Sequence, residues 1–545
     1  MKIERIKIVN FKCYKGEFNL ELNEGLNILV GNNESGKSTV LEAIHLALTG
    51  LFNGKYLKNE LTQYLFNNGV IAEYLTNIAT GQPAILPYIL IELYIKGDVF
   101  PLFEGNGNSE KIDACGLSLK IAFDEKYQAE YAQLVKSGNI KSLPIEYYDV
   151  FWNSFARESI TARSIPIKSA LIDSSCTRYQ NGSDIYISRI VRENLEPREV
   201  VEISQAHRTM RDAFMECPTI KAINSKIKSD AKISNKNIEL SVELLSKNAW
   251  ENSLMTYLDE VPFHFVGKGE QCIIKTKLAL GHKKSNEKNL ILLEEPENHL
   301  THARLSQLIH SIKSENQDKQ IIVSTHSSFV ANKMGLDNLI LLNDGKSTRF
   351  NNLQPDTKLF FEKIAGYDTL RLILCKKAIL VEGDSDELVV QKAYMVKNGG
   401  ILPIQNEIDI ISVGTSFLRF LEIADKINKP VVVVTDNDGD IAALKKKYEN
   451  YLGSNAKEFI KICFDEVVDN GDFKIGEAAF NYNTLEPKLL KVNNLQKINT
   501  ILGTSFDSVN KLHAYMKKNK TDCALKIFDS VKDFNFPAYI MDALR

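Results

Sequence analysis

The chain has 545 residues, with 67 Lys plus Arg against 69 Asp plus Glu, a formal net charge of −2, and 44% hydrophobic and 25% charged residues. This balance excludes a wholly disordered, collagen-like or mucin-like chain and a uniformly basic nucleic-acid coat, so a nucleic-acid site is expected only as a local basic patch. At roughly 100–200 residues per domain, the length implies about three or four domains. The most apolar stretch, AILPYILIELYI at 84–95, is too short to span a membrane and holds Pro87 and Glu92. The N-terminal MKIERIKIVNFKCY has no apolar h-region and does not read as a secretory signal. Eight scattered cysteines with no CxxC pair argue against a structural zinc and for a reduced, cytoplasmic setting.

Taken in chain order, Ile3, Ile6, Ile8 and Phe11 alternate with polar residues as in a half-buried strand. LNILV (26–30) reads as a second strand. A polar loop follows, then a helix with Leu41, Ile44, His45 and Leu48 at helical spacing and Gly50 as its stop. Residues 84–95 read as a strand, and about 100–250 as a partly helical insertion in the first domain, a candidate dimerisation region. NLILLEEPE is a buried strand running into acids. LTHARLSQLIHSIK is a helix with Leu305, Leu308, Ile309 and Ile312 on one face; QIIVSTHS and NLILLND are strands. Strands alternating with helices predict a mostly parallel, covered sheet. Residues 343–376 read as a linker. A second α/β unit begins at 377 with KKAILVEG, a helix ended by Gly399 and Gly400, IDIISVG, another helix and PVVVVTDNDGD; the rest reads mainly helical. The expected domains are therefore 1–342, a linker at 343–376, and 377–545.

GNNESGKS at 31–38 fits G-x-x-x-x-G-K-[ST] between a predicted strand and helix. Gly31 and Gly36 permit a tight loop. Backbone N–H groups over Asn32, Asn33, Glu34, Ser35 and Thr39 face phosphate oxygens, Lys37 reaches the β/γ-phosphates, and Ser38 ligates Mg²⁺. A nucleoside triphosphate is the expected ligand. Glu294, at the end of LILLEEPE, is expected to hold the metal through water, and Glu295 to polarise the attacking water. His326, ending IIVSTHS, is placed to meet the γ-phosphate. GKGEQ (267–271), with Gly269 and Gln271, precedes a helix and presents backbone N–H groups toward a second protomer's nucleotide.

Together these motifs resemble an ABC-type ATPase head of the SMC/RecF kind. The resemblance implies closure of one subunit's site by the other's signature loop, and hence a homodimer or higher homo-oligomer. The chain departs from that pattern at Gly267, where such loops carry Ser. Gln63 and Gln82 are both candidates for the Q-loop glutamine.

The 377–545 unit carries a second set of acids. Glu382 ends the strand AILVE, with Gly383, Asp386 and Glu387 after it; Asp436 and Asp438 end VVVVTDND. Two parallel strands ending side by side place these acids at the sheet edge where open α/β sheets carry their sites. Such carboxylates repel one another, and Mg²⁺ or Mn²⁺ relieves the repulsion and activates water for phosphodiester hydrolysis.

This arrangement resembles a Toprim domain. KKAILVEGDSDELVVQKAYM, TLEP with Glu486, and KTDCALKIFD resemble the OLD (overcoming lysogenization defect) family, which fuses an ABC ATPase to a Toprim nuclease in this order. The resemblance implies that Glu382 and Asp386 ligate one metal, with Asp386 standing where many relatives carry Glu. It implies that Asp436, Asp438 and Glu486 complete the cluster and that Lys520 stabilises transition-state charge. Lys445, Lys446 and Lys447, and Lys517 and Lys518 with Lys520, lie near the acids in sequence and suit a DNA backbone; for the first cluster a solvated helix face fits equally. The function implied is an ATP-regulated DNA endonuclease of anti-phage defence. It stands alone, pairs with a UvrD-like helicase, or serves beside a retron reverse transcriptase and its DNA. The alternatives are an SMC/RecF-like DNA-binding ATPase without nuclease activity, or a Toprim enzyme of topoisomerase or primase type. The chain shows no identifiable nucleophilic tyrosine in a winged helix and no obvious zinc finger for those last two.

Overall fold

The alternating N-terminus forms the strand Lys2–Val9, which buries Ile3, Ile6 and Ile8. It pairs antiparallel with Glu17–Glu21 on one side and Ile89–Lys96 on the other. The structure, a computed structural model, describes all residues except 54, 98–99, 137, 139, 174–178, 181–182, 185–194, 231–239, 242–256, 281–289, 316–318, 351–352 and 365–367. The described chain divides into two compact units, one of Met1–Thr325 with Ile340–Ser347 and one of His326–Leu339 with Thr348–Arg545.

The first unit holds two sheets. In the antiparallel one, Ala114–Phe123 pairs with Ile89–Lys96, Glu104–Gly105 and Tyr148–Ser154. In the other the strand order is Ser169–Asp173, Leu290–Glu294, Gln320–Ser324, Leu26–Val30, Leu339–Asn343, Lys346–Arg349. Its first four strands run parallel. The helix Lys37–Thr49 packs against strands of both sheets. Leu41, Ile44 and Leu48 thereby join Ile6, Ile91, Leu292 and Ile322 in one core. Each such fully buried aliphatic side chain contributes about 1.5–3 kcal/mol of transfer free energy. The buried Gln320 amide ties the sheets together: its Nε2 donates to Ile3 O at 2.7 Å and its Oε1 accepts from Ile3 N at 2.8 Å.

The second unit is built on a parallel sheet in the order Ile408–Ser412, Lys377–Val381, Val431–Val434, Ile460–Cys463. Val431–Val434 is buried throughout, as a strand covered on both faces requires. The helices Asp384–Lys397, Leu485–Val492, Leu495–Leu502, Val509–Lys518, Lys520–Asp529 and Ala538–Ala543 share one core with this sheet.

Several elements differ from the sequence expectations. The strand expected at 84–95 begins at Ile89. Glu17–Glu21, a short edge strand with two buried residues, was not expected; neither was Ile460–Cys463. Residues 104–173, expected within an insertion, supply strands to both sheets of the first unit. Part of the remainder of that insertion lies outside the described residues; the described part includes the helices Pro197–Glu216 and Pro218–Asp230. The expected 343–376 linker carries the helices Pro355–Lys363 and Thr369–Leu374. Phe361 and Leu372 are fully buried there. No helix among the described residues is long and apolar enough to cross a membrane.

Candidate functional site

The phosphate-loop motif lies between Leu26–Val30 and Lys37–Thr49. At Gly36, φ is 97°, and a Cβ would come within 2.4 Å of the Tyr14 hydroxyl. At Gly31 a Cβ would meet Ser35 Oγ at 2.4 Å and Leu342 O at 2.5 Å. Only glycine fits either place. Lys37 is buried, and its Nζ donates to Gly31 O at 2.9 Å and Asn32 O at 3.0 Å, inside the curve of the loop. Burial pushes the Lys37 ammonium below its ordinary pKa, against the pull of Glu295, Glu294 and Glu297. Asn32, Asn33, Glu34 and Ser38 are exposed and Ser35 half-buried. Thr39 is buried, with its hydroxyl accepting from the Cys13 thiol at 3.4 Å.

Leu290–Glu294 and Gln320–Ser324 run parallel, so Glu294 and Ser324 are register partners at their carboxyl ends. Glu295 turns there with φ 42°, its N–H donating to Ser324 O at 3.0 Å and its Oε2 accepting from Asn298 Nδ2 at 2.7 Å. Thr325 Oγ1 donates to Glu297 Oε1 at 2.7 Å. Glu297 was missed in the sequence, although it is the third acid of the same EEPE run. The glycines and acids thus enclose one cationic side chain at the ends of neighbouring strands, a donor set that suits a polyphosphate and its metal.

His326 follows Thr325 directly and is exposed. Of the GKGEQ segment, Lys268–Gln271 form the first turn of the helix Lys268–Leu280, with Gly267 just ahead of it. Gly269 lies against His299, whose carbonyl oxygen would be 2.4 Å from a Cβ there. The buried Gln271 amide donates to Phe263 O at 3.0 Å and Val266 O at 2.8 Å, holding its own turn. Gln63 Oε1 accepts from Leu143 N at 3.2 Å, whereas Gln82 is exposed.

In the second unit, Glu382 and Asp436 follow the ends of the adjacent parallel strands Lys377–Val381 and Val431–Val434. Asp386 lies in the first turn of Asp384–Lys397, and its Oδ2 accepts from Gly383 N at 3.2 Å. The helix Leu485–Val492 brings the buried Glu486, and its Leu485 N–H donates to Asp436 Oδ2 at 3.2 Å. Asp438 has φ 49° and accepts from Asn481 Nδ2 at 3.1 Å. Lys520 begins the helix Lys520–Asp529, which packs against Asp384–Lys397. Its Nζ lies 3.5 Å from Glu486 Oε1.

The electrostatics show how closely these groups interact. Burial, then the charges of Glu486 and Glu382, push the Asp386 carboxyl up to about 7. Burial, then Asp386, Glu486, Glu382 and Asp438, hold Asp436 well above the usual carboxylate range. Burial lowers the Lys520 pKa, but Glu486, Asp436 and Asp386 outweigh it and raise the ammonium overall. The buried Tyr539 phenol is likewise held up, by burial first and then by Asp436 and Asp386. Repulsion among anions with oxygen-only donors is the condition a divalent cation relieves. The side chains nevertheless do not form a closed shell as they stand. Among the described residues no three His, Cys, Asp or Glu side chains converge to hold a metal ion. The donor chemistry, oxygen atoms of carboxylates alone, fits a divalent cation.

Lys445, Lys446, Lys447, Lys517 and Lys518 are exposed at the ends of the helices Ile441–Lys447 and Val509–Lys518. Lys447 Nζ lies over the Phe417 and Tyr448 rings at 5.3 and 5.2 Å. Sequence reasoning missed Asn437, the buried residue between the two aspartates, and Lys488, buried two positions after Glu486. Nothing in a D-x-D or TLEP pattern marks the intervening or following residue as polar and buried.

Comparison with known proteins follows the same division. Residues 1–331 match the AAA ATPase domain family, and residues 373–438 match the TOPRIM domain of overcoming lysogenization defect protein-like proteins. Curated relatives include a DNA replication and repair protein RecF of Clostridium tetani, 36% identical over 14% of this chain and 20% of the relative. Another RecF, of Clostridioides difficile, is 27% identical over 35% of this chain and 52% of the relative. A DNA double-strand break repair Rad50 ATPase of Methanopyrus kandleri is 54% identical over 8% of this chain and 5% of the relative. The chain thus spans at most about half the length of these relatives. Among solved structures, an SMC head bound to the C-winged helix domain of ScpA aligns over 64% of this chain and 96% of its own, at 18% identity and a TM-score of 0.32. The SMC head domain from Thermotoga maritima aligns over 64% of this chain and 97% of its own, at 12% identity and a TM-score of 0.28.

Proposed function

The chain belongs to the AAA ATPase domain family, with an overcoming-lysogenization-defect-like TOPRIM domain behind the ATPase domain, and from that premise we propose that it is an ATP-regulated, divalent-metal-dependent DNA endonuclease. The observation that carries this reading is the grouping of Glu382, Asp386, Asp436 and Glu486 within one another's fields, with Lys520 beside them. Glu382, Asp386, Asp436, Asp438 and Glu486 are the residues that would hold Mg²⁺ or Mn²⁺. When bound, such cations supply an activated water and neutralise the leaving oxygen of a phosphodiester. Lys520 adds a fixed positive charge where the phosphorane develops. In the first unit Lys37 and the 31–38 loop bind the ATP phosphates, Ser38 and Glu294 hold its metal, and Glu295 orients the attacking water. His326, Gly269 and Gln271 complete the nucleotide site in our reading, the last two through the helix that a second protomer presents. DNA is the substrate and the protein acts as a homodimer or larger homo-oligomer in anti-phage defence.

The decisive experiment is plasmid cleavage with Mg²⁺ or Mn²⁺, with and without ATP, comparing the parent with Asp436→Ala. Cleavage by the parent that Asp436→Ala abolishes supports the proposal; nicking that survives the substitution removes the site assignment. The open spacing of the acids favours one competing reading, a DNA-binding ATPase without nuclease activity. That reading gains if the parent hydrolyses ATP and binds DNA but leaves plasmid intact.

A further inference from the structure

A network of polar contacts, buried at Lys488, Asn437 and Asn483 and partly exposed elsewhere, links the loops that carry the carboxylates, with Lys488 as its hub. Lys488 is 2% exposed. Its Nζ donates to Asp469 Oδ2 at 2.7 Å and Val467 O at 2.8 Å and forms an ion pair with Asp465 Oδ2 at 2.7 Å, so the ammonium is held entirely by the 465–469 loop. The same loop receives Asn437 from the other side. Asn437 Nδ2 donates to Asp465 O at 2.5 Å and Val467 O at 3.2 Å, and its Oδ1 accepts from Gly439 N at 3.0 Å.

A second arm leaves the loop at Asp469. Its N–H donates to Asn483 Oδ1 at 2.7 Å, and Asn483 Nδ2 returns a bond to Asp469 O at 2.9 Å. Asn483 N donates to Asn481 Oδ1 at 2.9 Å, and Asn481 Nδ2 donates to Asp438 Oδ1 at 3.1 Å. The helix that carries Lys488 closes the network at its N-terminus, where Leu485 N–H meets Asp436 Oδ2 at 3.2 Å and Glu486 enters the site.

An ammonium removed from water persists only with full compensation. Buried ion pairs add little net stability, and their best-attested use is to fix one arrangement over its competitors. Here the arrangement fixed is the relative placement of Asp436, Asp438 and Glu486. We propose that Lys488 is a positioning residue for the carboxylate site. It clamps the 465–469 loop and, through Asn437 and Asn483, sets the spacing of the acids that receive the divalent cation. This rests on the metal-site reading above, and Lys488 itself touches neither metal nor DNA.

The test is Mn²⁺ binding to the full chain without nucleotide, followed by electron paramagnetic resonance of free Mn²⁺. The binding that Asp436→Ala removes defines the site's share. In Lys488→Met that share weakens about 10–100-fold, as expected when a supporting hydrogen-bond partner is lost, while ATP hydrolysis is unchanged. Lys491→Met, which removes an exposed contact to the same Asp469, leaves Mn²⁺ affinity at the parental value. Should Lys488→Met fail to fold, Asp469→Asn decides, with a smaller shift in the same direction. Parental Mn²⁺ affinity in folded Lys488→Met, or in Asp469→Asn where the first does not fold, overturns the role of Lys488 alone. No Mn²⁺ loss in Asp436→Ala overturns the metal site itself, and Lys488's role with it.

Discussion

The Lys520 ammonium lies 3.5 Å from the buried Glu486 carboxylate, although the two residues belong to different helices of the C-terminal extension. Half of the lysine side chain remains exposed. It therefore keeps contact with solvent while its charge is felt by Asp436 and Asp386. Replacing it should affect chemistry more than cation binding. Lys520→Ala is expected to lower Mn²⁺-dependent plasmid cleavage by about 10²–10³-fold, the usual cost of removing one transition-state charge donor. Mn²⁺ affinity should not fall, because a positive neighbour has been removed. A measured loss of Mn²⁺ affinity equal to the loss of rate would assign Lys520 to the metal site's architecture instead.

In the ATPase unit, Glu295 is held by its own backbone bond to Ser324 and by Asn298 on its carboxylate. Glu295→Gln keeps the shape and loses the carboxylate proposed to polarise the attacking water. ATP hydrolysis should fall by about 10²–10⁴-fold, the range for removing a general base. ATP binding, measured by fluorescent-analogue displacement, should be retained. Gly36→Ala should do the reverse, abolishing binding, since its φ of 97° and the Tyr14 hydroxyl 2.4 Å from the added Cβ leave the loop no room.

The parts of this molecule written in short contiguous runs were readable from sequence. GNNESGKS, LILLEEPE, AILVEG and VVVVTDND each couple a buried strand to the chemistry at its end, so periodicity and motif reinforce one another. What failed was whatever depended on pairing with a distant partner. Glu17–Glu21 buries only Phe18 and Leu20, too weak an alternation to stand out. Residues 104–173 looked like an insertion because their strands are bounded by polar loops such as EGNGNSEK, yet they pair with Ile89–Lys96 and Leu290–Glu294. Lys488 was invisible for the same reason: a lysine in a helix reads as solvated, and only the 465–469 loop folded over it makes it buried.

Gly267 is open to substitution, since a Cβ there meets nothing within 4 Å. Gly267→Ser restores the residue that the resembling signature loops carry, and the fold should accept it without loss of thermal stability. If the start of the helix Lys268–Leu280 serves a second protomer's nucleotide, this change should raise ATP hydrolysis several-fold at high protein concentration and not at low. An increase independent of concentration, or none at all, would argue against action in trans.

Asp469 supplies the pH dependence. Burial tends to raise its pKa, but hydrogen bonds and charge from Lys488 and Lys491 prevail and hold it below its ordinary value of 3.8. A carboxyl group whose pKa is depressed by folding stabilises the native state above its unfolded pKa, and that contribution disappears as pH falls through the folded value. The parent should therefore melt at a higher temperature than Asp469→Asn from pH 7 down to about pH 4, with the gap closing at more acid pH. Protonating Asp469 removes one anion from beside the buried Lys488 side chain, and the cost falls on the loop that holds Asn437. Differential scanning calorimetry of both proteins from pH 7 to pH 3 reads this directly. A melting-temperature gap that is constant over the whole range would mean that Asp469 acts as a neutral hydrogen-bond acceptor, and the ionic account of the clamp would have to be abandoned.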